Sequence, residues 1–124
     1  MSDIILSVRE PYLSNILNGS NIIWVRTMPI LKFERGDVVY FAEPSTHGNV
    51  VGNAICTATQ IATPKFAWEH YKHMMGMSYD DFHQYTQNHD TIFLIWLTLP
   101  CRWDKPRHIS EYGFKRIPQS YCYV

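Results

Sequence analysis

Leu6-Ser7-Val8-Arg9-Glu10-Pro11-Tyr12 leads through a short amphipathic segment into Gly19-Ser20-Asn21-Ile22-Ile23-Trp24-Val25-Arg26, and the reading of this stretch decides the fold. It reads as strand, helix, tight stop, strand. Residues 4 to 8 are apolar and partly β-branched, and Pro11 suits a first helical turn. Leu13, Ile16 and Leu17 then fall on one helical face before Gly19 ends the run. Such a unit is expected to bring its second strand, residues 21 to 27, back beside the first.

Outward from this unit, residues 28 to 36 read as a surface loop, 38 to 42 as a strand, and 44 to 49 as a second loop. The strand expected over 50 to 59 alternates, with Val50, Gly52, Ala54 and Cys56 on one side; such small side chains point to close packing inside a barrel or against a helix. Thr63-Pro64 caps and opens a helix that carries Ala67, Tyr71, Met74 and Met75 until Gly76 stops it. Ser78 caps a second helix with Asp80 and Asp81 in its first turn and an apolar side made by Phe82 and Tyr85. Residues 91 to 99 form a long strand with little alternation, so it is buried on both faces or central. Pro100 is expected to break it, leaving a separate edge strand over 103 to 109. The aromatic tail, 117 to 124, is expected to dock onto the body.

The opening stretch resembles that of the ASCH domain, a family in the PUA-like superfamily of small β-barrels that handle RNA or modified nucleotides. In that family a Gly-x-Lys at the helix end precedes a Glu-x-Arg in the returning strand; Gly19 and Arg26 keep their places, while Asn21 stands at the Lys position and Trp24 at the Glu position. Gly36-Asp37 ahead of residues 38 to 42, and Val50-Val51-Gly52-Asn53-Ala54 after them, extend the likeness to about residue 59. The resemblance implies an α+β fold: a PUA-like curved or closed β-barrel with a helix between the first two strands and a helical insertion before the fifth. One branch of the family hydrolyses an acetylated cytidine through a Lys, a Thr and a Glu. The Lys and Thr positions are Asn21 and Trp24 here, and neither supplies a general base or a hydroxyl nucleophile. RNA cleavage is also known in the family, and no matching set of residues is evident.

At 124 residues and 46% hydrophobic, the chain has the size and apolar content of one domain spanning residues 1 to 124, able to build a core without metal or disulfide staples. Cys56, Cys101 and Cys122 are odd in number and form no Cys-x-x-Cys pair, which reads as reduced thiols. No signal peptide or membrane-spanning run is evident, so a soluble, cytoplasmic protein with no membrane partner is expected. Eleven basic and eleven acidic side chains cancel, which argues against duplex DNA. Their distribution is uneven. Arg102, Lys105, Arg107, Lys115 and Arg116 outweigh Asp104 and Glu111, whereas Asp80, Asp81 and Asp90 have no Lys or Arg beside them between residues 76 and 91. The basic set is expected to border the ligand cleft, and the aspartates to lie elsewhere.

In the returning strand, alternation puts Trp24 and Arg26 on one face, where an indole and a guanidinium can hold a flat base and meet a phosphate. Trp103, beside Arg102, is a second stacking candidate expected to be exposed. Trp68 and Trp96 are assigned to packing. Gln119 can reach a base edge if the tail closes the cleft, or cap backbone groups where the tail joins the sheet. Glu43 is the one candidate acid or base for a hydrolase reading, against its ordinary role in a turn before Pro44. His70 and His73 lack a fixed partner spacing, so no metal and no cofactor are assigned. The expected ligand set is therefore Asn21, Trp24, Arg26, Glu43, Arg102, Trp103 and Gln119. The expected function is recognition of single-stranded or modified RNA or of a nucleotide, with a hydrolase of modified nucleosides or RNA, or a protein-interaction adaptor, as alternatives.

Overall fold

A computed structural model describes residues 2 to 124. Its elements are β1 (Ile4–Ser7), α1 (Tyr12–Leu17), β2 (Ile23–Arg26), β3 (Val38–Glu43), β4 (Asn49–Ala62), α2 (Pro64–Met75), α3 (Tyr79–Thr86), β5 (Ile92–His108) and β6 (Tyr121–Tyr123). All six strands share one sheet in the order β2-β5-β4-β3-β1-β6, antiparallel except for the parallel β1–β3 pair. The class is α+β, with one helix between the first two strands and the helical insertion before the fifth, as expected. The sheet curves into a half-barrel, and β2 and β6 are left as its two edges.

Capping chemistry sets the helix limits. Thr63 Oγ1 accepts from the Phe66 N–H at 3.2 Å and Ser78 Oγ from the Asp81 N–H at 3.1 Å, each satisfying a donor that the first helical turn leaves free. The main core lies inside the curve, where Leu6, Phe41, Val51, Ile95 and Leu97 meet Leu13, Ile16 and Leu17 of α1. Their strand neighbours point the other way because the pleat alternates. Ile23, Val25 and Leu94 pack under α2 and α3, while Ile5, Ala42 and Val50 join Ile109 and the half-buried Tyr40, Trp103 and Tyr112. Trp68 and Trp96 pack against the α2–α3 cluster, in keeping with their assignment.

Three expectations are corrected. β2 does not return beside β1; it pairs with β5, from Ile23 opposite Trp96 to Arg26 opposite Phe93, so β3, β4 and β5 separate it from β1. The connection is fixed on the far side, where the Ile22 N–H donates to the Met74 carbonyl at 3.1 Å and the Leu97 N–H to the Ile22 carbonyl at 2.8 Å. Pro100 does not end its strand either. β5 runs 17 residues through both Pro100 and Pro106, because beyond the stretch paired with β2 it is bonded to β4 alone and tolerates residues that lack an N–H. Leu99 turns to a left-handed φ of 50°, and three register shifts against β4 absorb the bend. The same shifts disturb the alternation read for β4. Val51, Ala54 and Cys56 enter the main core, and Val50 is buried in the Ile109 cluster on the other face of the sheet.

Gly52 shows the close approach that its small neighbours suggested. A Cβ there would fall 2.4 Å from the Cys101 carbonyl oxygen and 2.9 Å from Leu17 Cδ2, so only glycine lets β4, β5 and α1 meet at this point. The tail does dock: β6 pairs with β1, and the Val124 N–H donates to the Asp3 carbonyl at 3.0 Å. No helix among the described residues is long and apolar enough to cross a membrane.

Candidate functional site

A cavity of about 480 Å³ opens off the free edge of β2. β2 contributes Trp24 and Val25, the end of β1 and the segment after it contribute Ser7 and Arg9, α1 contributes Tyr12, and the insertion contributes Met75, Met77, Asp81, Gln84 and Tyr85. The insertion reaches β2 because the chain reverses at Gly76, whose φ is +64°. A Cβ on Gly76 would lie 1.9 Å from Asn21 Nδ2, so the buried Asn21 side chain rests directly on that turn. Glu10 orients α1 by accepting from the Ser14 N–H at 2.7 Å and from the Ser14 hydroxyl. Tyr12 then stands edge-on to Trp24, with ring centroids 6.3 Å apart and planes at 64°. The Tyr12 hydroxyl donates to Asp81 Oδ2 over a long 3.4 Å. Burial, and then the Asp81 charge, raise the Tyr12 hydroxyl above its ordinary pKa.

Arg26 shares its face with Trp24, as the alternation required, but it is not among the cavity-lining side chains. It spans the gap between the two edges of the sheet instead. Its Nη2 donates to Ser120 Oγ at 2.8 Å and its guanidinium lies over the Tyr121 ring, 5.0 Å from the centroid, while its buried Nε finds no acceptor. Burial lowers the Arg26 pKa, and the phenol groups of Tyr85 and Tyr121 act in the opposite direction.

The other expected site residues are dispersed. Asn21 is used in the Gly76 turn. Glu43 accepts from Ser45 Oγ at 2.9 Å, its carbonyl accepts from Thr46 Oγ1 at 2.7 Å, and it ends β3 outside the cavity. Arg102 Nη2 donates to Ser14 Oγ at 3.3 Å. Trp103 is half-buried rather than exposed: its Nε1 donates to Asn53 Oδ1 at 2.8 Å, Tyr40 meets it edge-on at 6.0 Å, and Arg107 covers its ring at 5.4 Å. Gln119 is exposed, and its neighbour Ser120 makes the contact with Arg26.

Charges are distributed around this cavity differently from the arrangement expected for a cleft at Arg26. Asp81, one of the aspartates expected to lie elsewhere, stands on the cavity wall, whereas none of the basic residues between 102 and 116 does. Arg9, Tyr12, Asp81, Gln84 and Tyr85 were not foreseen as site residues. Asp81 carried a sufficient local explanation as a first-turn carboxylate, and Tyr12 lay within the helix of the opening stretch. Among the described residues no three His, Cys, Asp or Glu side chains gather to hold a metal ion.

No protein-family model and no curated protein matches the chain. Solved structures do. ASCH from Zymomonas mobilis superposes with a TM-score of 0.87 at 15% identity, over 99% of this chain and 87% of that one. A tyrosine-to-phenylalanine variant of the same protein gives 0.88 at 15% identity, over 100% and 91%. A serine-to-alanine variant gives 0.87 at 13% identity, over 99% and 88%. The chain has the ASCH fold.

Proposed function

We propose that this chain, built on the ASCH fold, recognises a single nucleobase of a modified nucleotide or of unpaired RNA in the cavity beside Trp24. One observation carries the reading: the aromatic corner made by Trp24 and Tyr12 opens into a space of about 480 Å³, which is nucleotide-sized, with Arg9, Asp81 and Gln84 as its polar groups. A flat base stacks on an indole whatever its sequence context, and the few polar groups fix its orientation. The likeness to ASCH structures supports a ligand of this class. The mixed charge of the wall favours a ligand of one or two nucleotides over a long polyanion, so a small dependence on salt is expected.

Calorimetric titration with a panel of nucleosides, nucleotides and short single-stranded RNAs tests this. Trp24→Ala is expected to weaken binding by roughly ten- to a hundredfold, matching about 1–3 kcal/mol for a stacked base, and Trp24→Phe to restore much of it. Trp103→Phe should leave affinity unchanged. Binding that survives Trp24→Ala in a folded protein, or no binding across the panel, would remove the reading.

A further inference from the structure

The inference rests on the reading just given and concerns the charge of the base. The side chains that face the cavity include one carboxylate, Asp81 on α3, and one guanidinium, Arg9 after β1; the remainder are aromatic, aliphatic, thioether, amide or hydroxyl. Among the described residues, Arg9 and Asp81 form no ion pair with each other, and the sole hydrogen bond to the Asp81 side chain is the long one from Tyr12. A lightly engaged carboxylate thus stands beside the hydroxyl edge of one ring of an aromatic corner, with Tyr85 and two thioethers, Met75 and Met77, completing the wall.

A neutral base can donate N–H groups to Asp81 but leaves its negative charge uncancelled, and a deprotonated base would be repelled. A base with a fixed positive charge is served twice, because aromatic faces attract a cation through their quadrupole and the carboxylate neutralises it. Thioethers are polarisable and adapt to the outline of an alkylated ring. Arg9 is exposed, where a phosphate outside the stacked base would meet it. We infer that the cavity selects a nucleotide whose base is positively charged by ring alkylation, with Asp81 as the residue that sets the preference and Arg9 as the phosphate contact.

The probes are 7-methylguanosine 5′-monophosphate, whose base is cationic, and guanosine 5′-monophosphate, which differs by the methyl group and its charge. Both are titrated against the unmodified protein, Asp81→Asn and Arg9→Gln, with thermal melting to verify folding. The methylated nucleotide is expected to bind the unmodified protein about tenfold more tightly. Asp81→Asn is expected to bring the two affinities to within about twofold of each other, whatever their common level, and Arg9→Gln to weaken both nucleotides alike. Because both charges lie on the exposed rim, the preference should also shrink as salt is raised, a readout that needs no variant. Equal affinities in the unmodified protein, or a preference that persists in folded Asp81→Asn, would overturn the inference while leaving nucleobase recognition standing. Failure of both nucleotides and of the whole panel to bind would remove both.

Discussion

Cys56 lies in the main core with 1% of its surface exposed, and burial pushes its thiol up to about 11, the charge of Asp37 adding to the effect. In the unfolded chain the same thiol titrates near its ordinary value of 9.0. Between those two values the unfolded state gives up a proton that the folded state keeps, so stability present at neutral pH falls as the pH rises from about 9 to about 11. The loss is on the order of 2 kcal/mol. Urea unfolding across that range should show it in the unmodified protein, and Cys56→Ala should lack this part of the alkaline slope even though its neutral stability starts lower. Arg26 presents the opposite situation, a charge held at the margin of the core by one hydroxyl and one ring. Arg26→Ala is expected to lower stability by about 1–2 kcal/mol, as a charge-assisted bond and a cation–π contact are lost while the unpaired Nε is also removed. Hydrogen exchange at the amides of β6 should accelerate in that variant; unaltered exchange there would deny Arg26 any part in holding the two edges together.

The turn between α2 and α3 decides whether the cavity has a far wall. Gly76→Ala combines a left-handed φ with a collision against the buried Asn21 side chain, and is expected to cost about 2–4 kcal/mol. Gly19→Ala has a φ of +83° but open space around its Cβ, and should cost about 1 kcal/mol. Thermal melting of the pair reads the difference, and equal shifts would mean that Asn21 yields freely. These same elements show how much of the molecule was legible beforehand. Thr63-Pro64, Gly76 and Ser78 act within a few residues of themselves, so the starts of both helices of the insertion and the end of the first were readable. Partner choice among strands is set by packing across the whole chain, and the pairing of β2 with β5 left no local mark. Trp24 was found as a site candidate because alternation along one strand is local. Tyr12 and Asp81 meet across 69 residues of sequence and could be joined only after α3 had been folded back.

The half-barrel has two edges, and the strands on them come from distant parts of the sequence. The order of the sheet therefore carries a timetable. β3 and β4 are joined by a short turn and pair at the smallest sequence separation in the sheet, so they can assemble first. β1 must cross past α1 and β2 before it reaches β3. β6 pairs with β1, Leu6 opposite Tyr121, over nearly the whole chain, and the entropy of closing so long a loop is lowered only once the rest has condensed. Pulse-labelled hydrogen exchange during refolding should protect the amides of β3 and β4 before those of β6, with nucleotide affinity appearing in the late phase; simultaneous protection of all six strands would refute that sequence. β2 likewise meets β5 from far along the chain, Trp24 opposite Ile95, so the wall that carries Trp24 is expected to arise late, and a partly folded chain would hold a core and no ligand.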